Sequence, residues 1–337
     1  MPRKLGNESC AWMNTKRCMK GVQDKVKSLD LIIPCYNEQE CIRSIYTEIF
    51  AVMRDVADWT YNICYIDDGS RDNTLAEVKA IAEKDAKVGY IAFSRNFGKE
   101  AAIHAGLRSS HGDAVVIMDA DHQDPPAMLP QMLELLNSGY DIIAVRRTDR
   151  TGEPFIRSWF ANKFYLLMNK FSDVNIEAGS RDYRLMTAQV RDALLSMGER
   201  ERFSKGLFAW VGFNVKWLDI PNVQRSAGDT SWSFWNLLKY AVSGIVAFTT
   251  APLRLALIIG GFTVTSGTIY FIYRIVRYHF LLTTDAIIIA LILIIGGVTI
   301  GLLGVVGEYL ARMYNEVKRR PLYIIKEDNR NLKLDED

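Results

Sequence analysis

The chain has 337 residues, 49% of them hydrophobic and 24% charged, with a formal net charge of +2 and a mean hydropathy near zero. So small a basic excess argues against a dedicated nucleic-acid binder, and 11% aromatic residues with frequent apolar runs argue against disorder over most of the length. Five cysteines (Cys10, Cys18, Cys35, Cys41, Cys64) form no C-x-x-C pair, which fits a reduced compartment and neither a disulfide framework nor a zinc site.

Residues 1–28 carry seven Lys or Arg against two acids and no apolar run, so no secretory signal is expected there. They read as a basic, disordered tail with a weak attraction for anionic headgroups, or as an extension ahead of a later start, since Met13 and Met19 could also initiate. Strand and helix then alternate. Leu29–Cys35 is an apolar run closed by Pro34, and Cys41–Val56 has helical spacing of Ile42, Ile45, Ile49, Val52 and Met53. Asn62–Ile66 reads as strand, Thr74–Lys84 as helix, Val88–Phe93 as strand and Lys99–Ser109 as helix. Ala114–Met118 is again strand, Pro126–Asn137 helix and Ile142–Val145 strand. This alternation predicts an α/β domain over residues 29–232, with a mostly parallel sheet and helices on both faces.

Beyond it the composition changes. From Asn236 to Leu310, 75 residues carry six charged side chains. Residues 233–252 mix Trp235, Leu237, Leu238 and Tyr240 with Lys239 and Ser243, an interfacial amphipathic pattern that Pro252 ends. Leu253–Val276 and Ile287–Leu310 are 24 residues each, longer than the roughly 20 a membrane helix needs. They predict a helical transmembrane hairpin across 253–310 with both termini on one side. Arg312, Lys318, Arg319 and Arg320 follow the second span and assign that side, with a tail at 311–337, to the cytoplasm.

Polar clusters stand at the carboxyl ends of the predicted strands, where open α/β sheets bind ligands. Tyr36-Asn37-Glu38 follows the first, Asp67-Asp68-Gly69-Ser70 the second and Asp119-Ala120-Asp121 the fourth. Asp119 and Asp121 are two apart in extended chain, so both carboxylates can share a face. Such a pair needs a compensating cation, and Mg²⁺ bridging to substrate phosphates is a natural one. Gln123 can add a neutral oxygen. Taken alone, the same residues would also serve as an acidic turn capping the helix at Pro126, with Asp124 as the cap. Neither G-x-G-x-x-G nor G-x-x-x-x-G-K-[ST] occurs, so dinucleotide and Walker phosphate loops are not expected. His104, His111, His122 and His279 form no ligand set, and His122 reads as a neighbour of the acidic loop rather than a ligand.

The ordered set Pro34-Cys35-Tyr36-Asn37-Glu38, Asp67-Asp68-Gly69-Ser70, Ser94-Arg95-Asn96-Phe97-Gly98-Lys99-Glu100, Asp119-Ala120-Asp121-His122-Gln123-Asp124-Pro125-Pro126 and Asp182-Tyr183-Arg184-Leu185-Met186 resembles family 2 glycosyltransferases. It is similar in particular to the polyisoprenyl-phosphate glycosyltransferases, the bactoprenol glucosyltransferases and dolichol-phosphate mannose synthases. The resemblance implies a GT-A (Rossmann-like) fold over about Leu29 to Pro321, with Pro34, Tyr36, Glu38, Asp68 and Asp119 holding a nucleotide sugar. It implies Mg²⁺ or Mn²⁺ on Asp119 and Asp121, assisted by Gln123, and Asp182 as the catalytic residue near the acceptor, the acidic side chain the family often calls a base. A salt bridge from Asp182 to Arg181 or Arg184 is the competing structural role. A phosphate acceptor needs cations, for which Arg146, Arg147, Arg202, Lys205 and Arg225 are candidates. The usual Lys-Tyr of the family's Arg-x-x-Gly loop stands as Ser231-Trp232. The expected activity is inverting, metal-dependent transfer from UDP-glucose to polyprenyl phosphate (undecaprenyl or dolichyl phosphate) by a multi-pass inner-membrane protein that contacts membrane lipids, binds no nucleic acid and assembles as a homo-oligomer (tetramer). A GDP-mannose donor, another membrane acceptor for a UDP-sugar, or a catalytically silent scaffold are the alternatives.

Overall fold

The computed structural model describes residues 26–147, 177, 179–200, 202–220, 258–263, 265–267, 269, 272–273 and 285–330. The basic tail apart from its last three residues, the interfacial stretch 233–252, most of the first predicted span and Arg225 lie outside them.

Four strand–helix units and a fifth strand open the described chain. β1 (Lys27–Cys35), β2 (Trp59–Asp67), β3 (Val88–Phe93) and β4 (Ala114–Ile117) are separated by α1 (Ile42–Arg54), α2 (Thr74–Ala82) and α3 (Lys99–Ser109). A short 3₁₀ turn at Pro126–Met128 leads into α4 (Leu129–Asn137), and β5 is Ile142–Arg147. β6 (Ser180–Thr187), α5 (Ala188–Ser196), α6 (Ser204–Trp210) and β7 (Val215–Ile220) follow. The long helix α7 (Asp285–Lys318) and a final strand β8 (Ile325–Asp328) complete the described elements.

One eight-stranded sheet runs β7-β5-β6-β4-β1-β2-β3-β8. The predicted parallel character holds for β1 against β2 and β4, for β2 against β3 and for β5 against β7. β6 is antiparallel to both β4 and β5, and β8 is antiparallel to β3. Alternate residues of each strand feed opposite faces. Leu29, Leu31, Ile33 and Cys35 of β1 pack with Ile42, Ile45 and Ile49 of α1 and with α4. Ile32 faces the other way, into a layer with Ala102, Ala105 and Leu107 of α3 and Leu207 and Phe208 of α6. Both faces are therefore covered, as a central parallel sheet requires.

Two turns aim the site. Gly69 has φ +69°, and a Cβ there would meet the Arg95 carbonyl carbon at 2.4 Å, so the β2–α2 and β3–α3 loops touch only because this position has no side chain. Gly98 has φ +98° and starts α3. Asp68 accepts from the backbone N–H of Phe97 (2.6 Å) and Gly98 (2.9 Å), pinning the end of β2 to the start of α3.

The segment 311–337 is more than the expected tail. α7 continues to Lys318, and the Arg200 N–H donates to Glu316 Oε1 at 2.8 Å near its end. The chain then returns to the sheet. The Tyr323 ring stacks on Phe93 with centroids 4.9 Å apart, Ser94 N–H donates to the Ile324 carbonyl at 2.9 Å, and Lys79 pairs with Glu327 at 2.7 Å. Arg330 donates to the Ile63 carbonyl at 2.9 Å. Among the described residues one helical stretch, Ile295–Lys318, is long and apolar enough to cross a membrane. Of the first predicted span, helical turns are described at 258–263 and 265–267.

Candidate functional site

β1, β2 and β4 end side by side in the sheet, so their following loops share one edge. The first loop is braced on the second. Asn37 N–H donates to Ser70 Oγ at 2.9 Å, the Arg71 N–H to Asn37 Oδ1 at 2.9 Å, and the Glu38 N–H to Thr74 Oγ1 at 2.8 Å. Asn37 takes φ +56°, a left-handed conformation that asparagine tolerates. This leaves Tyr36 39% exposed, two residues after Pro34, the last but one residue of β1. Asp67 and Asp68 are buried, which raises both carboxyls above their ordinary values. Asp68 is thus an internal brace.

The loop after β4 folds on itself. Asp119 N–H donates to Asp124 Oδ2 at 2.9 Å, and Gln123 N–H donates to Asp121 Oδ1 at 3.1 Å. Asp124 is fully buried against Arg181, Nε to Oδ1 2.8 Å. The capping role read for Asp124 is therefore spent on its own loop and on β6. His122, at φ +60°, turns away from the carboxylates to α1, with Nε2 2.7 Å from Ser44 Oγ and Nδ1 3.1 Å from Glu48.

Asp182 comes from β6, next to β4 in the sheet. It is not paired with either flanking arginine. Arg181 holds Asp124, and Arg184 donates to the Arg181 carbonyl at 2.6 Å and lies 3.7 Å over the Phe208 ring. Lys99, the first residue of α3, makes the bridge instead. Its Nζ is 2.7 Å from Asp119 Oδ1 and 2.7 Å from Asp182 Oδ2. Burial would raise the Asp182 carboxyl, but Lys99, Lys205 and Arg184 hold it well below the usual carboxylate range. Partial desolvation of the ammonium opposes charge on Lys99, and Asp119 and Asp182 outweigh it and push the group upward.

The predicted cations divide. Lys205 is brought to the site: its Nζ donates to the Ser180 carbonyl at 2.9 Å and its charge bears on Asp182. Arg202 is taken up elsewhere, donating to the Met197 (2.9 Å) and Leu194 (3.1 Å) carbonyls that end α5. Arg146 is ion-paired with Glu177 and with Asp219 of β7, each at 2.6 Å. Gln123 is also differently employed. Its Oε1 accepts from Arg147 at 2.7 Å and from Arg181 at 3.3 Å, so the oxygen expected to assist a metal is held by two guanidinium groups.

A hard divalent cation needs a set of oxygen ligands. No group of three or more His, Cys, Asp or Glu able to hold a metal gathers among the described residues. Two carboxylates from one loop still fit Mg²⁺ or Mn²⁺, because such ions commonly take one or two protein carboxylates and fill the shell with water and substrate phosphate. Asp119 and Asp121 fit that role; Gln123, as oriented, does not.

Lys99 and Glu100 stand in the Ser94–Glu100 motif with no role that the sequence alone assigns. A signal was present: a lysine in the first turn of a helix opposes the helix dipole and needs another reason to be there. Glu100 accepts from the N–H and hydroxyl of Ser204 and so caps α6, and burial raises its carboxyl to about 7.

Residues 30–194 match the glycosyl transferase family 2, and residues 251–313 match the GtrB C-terminal hairpin. A putative glycosyltransferase, CsbB of Bacillus subtilis, is 40% identical over 308 residues, 89% of this chain and 92% of that protein. The chain belongs to glycosyl transferase family 2. It is a glycosyltransferase with a GT-A fold, and its hairpin and apolar helix associate it with membranes. The bactoprenol glucosyl transferase of Shigella phage SfII is 35% identical over 312 residues, 90% of this chain and 98% of that one. The prophage bactoprenol glucosyl transferase homolog of Escherichia coli is 35% identical over 303 residues, covering 88% and 98%. Among solved structures, glucosyl-3-phosphoglycerate synthase from Mycobacterium tuberculosis in complex with Mn²⁺, UDP-glucose and phosphoglyceric acid aligns with 65% of this chain and 78% of that one, at 17% identity and TM-score 0.45.

Proposed function

We propose that this glycosyltransferase moves glucose from UDP-glucose to a polyprenyl phosphate, with inversion at the anomeric carbon, at the cytoplasmic face of the plasma membrane. The observation that carries the reading is the meeting of Asp119 and Asp182 at one sheet edge, in a chain that matches several bactoprenol glucosyl transferases over nearly their whole length.

Each part has a physical role. The exposed Tyr36 ring offers the uracil a stacking surface, and Pro34 and Glu38 flank it. Asp119 and Asp121 would hold Mg²⁺ or Mn²⁺ on the diphosphate, which supplies charge neutralisation at the departing UDP. A phosphate oxygen of the lipid attacks the anomeric carbon, the bond from that carbon to the UDP oxygen breaks, and UDP leaves with the electron pair. The product is a β-linked polyprenyl-phospho-glucose. A lipid phosphate is already an anion at neutral pH and needs no general base, and Lys99, Lys205 and Arg184 hold the Asp182 carboxyl below the usual carboxylate range against its burial. Its charge orients the acceptor side and stabilises the oxocarbenium-like transition state. Lys205 stands beside it for the acceptor phosphate, with Arg225 as a further candidate outside the described residues. Two membrane helices, cytoplasmic termini and a homo-oligomeric (tetrameric) assembly complete the proposal.

The test is a donor screen. Membranes carrying the protein are given Mg²⁺, polyprenyl phosphate and labelled UDP-glucose, UDP-N-acetylglucosamine or GDP-mannose in turn. Label in the lipid phase from UDP-glucose is expected; transfer from GDP-mannose alone would reassign the donor, and no lipid label from any donor would end the proposal.

A further inference from the structure

One ammonium group, that of Lys99, holds together the two carboxylates assigned to opposite sides of the reaction. Its Nζ lies 2.7 and 2.9 Å from the two oxygens of Asp119 and 2.7 Å from Asp182 Oδ2. Three separate elements meet there: the start of α3, the loop after β4, and β6. The bridge is also adjustable, because the Lys99 side chain is 41% exposed and rides on a flexible four-carbon stem.

A divalent cation on Asp119 and the Lys99 ammonium compete for the same oxygens. Both oxygens of Asp119 are within 3 Å of Nζ, so a second cation there meets a like charge at close range. The anions that enter with substrates are phosphates, and they offer the ammonium a new partner. Asp182 is not abandoned when Lys99 leaves, since Lys205 and Arg184 also bear on it.

We propose that Lys99 is a positioning residue: it is the resting counter-ion of Asp119 and Asp182, and it transfers to a substrate phosphate oxygen when the nucleotide and its divalent cation arrive. This rests on the metal and nucleotide-sugar reading above. Its consequence is coupling. The cation binds poorly to the protein alone and well with nucleotide, so the site is charged with donor and metal together. The phosphate that receives the ammonium belongs either to the donor diphosphate or to the acceptor lipid.

The experiment uses the full chain in detergent and follows free Mn²⁺ by electron paramagnetic resonance. Mn²⁺ is titrated alone, with UDP, and with a short-chain prenyl phosphate. The unaltered protein is expected to bind Mn²⁺ weakly alone and more tightly with UDP. Lys99→Gln removes the competing charge and should bind Mn²⁺ alone at least about tenfold more tightly. It should also lose affinity for whichever phosphate receives the ammonium, and the UDP and prenyl phosphate arms separate the two sources. Lys99→Arg keeps the charge and should resemble the unaltered protein. Lys99→Met, which keeps the stem, replaces the glutamine variant if thermal melting shows that variant unfolded. A role confined to holding the fold would weaken Mn²⁺ and UDP binding together, so weaker or unchanged Mn²⁺ affinity without Lys99 would overturn the proposal. Unchanged affinity for both phosphates would overturn the transfer step. If the unaltered protein took up no Mn²⁺ even with UDP, the metal reading would fail and this inference with it.

Discussion

Isoleucine and leucine serve opposite ends in the sheet and in the long C-terminal helix. In β1, Leu29, Leu31, Ile32 and Ile33 are fully buried. On α7, Ile292, Ile300 and Leu303 are 62, 72 and 64% exposed. The sheet satisfies its apolar residues with its own helices, whereas α7 presents them outward. An apolar surface of that length needs another medium, and a bilayer supplies it. The 34 residues of α7 span about 50 Å, against a hydrocarbon core of about 30 Å. The surplus carries Glu308, Arg312, Glu316 and Lys318 back toward the sheet, which β8 then joins. The two regions are thus continuous, and the proposed reaction uses both: one would handle a soluble donor, and the other would keep it beside an acceptor that stays in the membrane.

The comparison breaks most visibly if chemistry and anchoring do not separate. Asp121→Ala should lower glycosyl transfer by about 10³-fold or more, with the protein still in the membrane fraction. Activity near that of the unaltered protein would remove the acidic loop from the reaction. The reverse separation comes from Ile300→Asp combined with Leu303→Asp. A charge at the centre of a membrane helix costs about 2.5–3.5 kcal/mol, so the double variant should be extracted from membranes by alkaline carbonate more readily than the unaltered protein while the sheet domain keeps its melting temperature. Unchanged extraction would show that α7 does not help to anchor the chain.

A smaller effect probes the junction. Tyr323 is 8% exposed and stacked on Phe93. Tyr323→Ala should cost about 3 kcal/mol and lower the melting temperature. Unchanged melting would mean that β8 is a passive edge. The smallest expected effect concerns pH. Burial raises Glu100 from 4.5 to about 7, so the folded state holds a proton that the unfolded chain releases. Its contribution to stability is fully present below about pH 4.5 and is lost as pH rises through about 7. Glu100→Gln should flatten the fall in melting temperature between those values; an identical slope would remove Glu100 as its source.

The same contrast explains what could be read from residues alone. β1 to β5 announce themselves as apolar runs between turn residues, and α7 as a long apolar run with few charges. β6 does not, because its Arg181, Asp182 and Arg184 look like a surface stretch. Two of these, Arg181 and Arg184, are in fact buried, made tolerable by Asp124 and by the Phe208 ring. Those partners are distant in sequence. β8, with Lys326, Glu327 and Asp328, is charged because it is an edge strand and reads as tail. The acidic loop was legible from its spacing, but the direction of Gln123 was not, since it depends on Arg147 and Arg181 arriving from β5 and β6. Arg202 shows the converse: a basic residue in a suitable stretch, turned inward to hold carbonyls of α5. Lys99 was visible as a letter in a motif, and its bridge required the sheet order that brings β4 next to β6.

The most direct measurement is the structure of the lipid product. Membranes with the unaltered protein, Mg²⁺, polyprenyl phosphate and UDP-glucose should yield a polyprenyl-phospho-glucose whose anomeric proton, by NMR, is that of the β-linkage. An α-linked product would contradict inversion at the anomeric carbon, and glucose appearing only in water-soluble products would contradict transfer to the lipid phosphate.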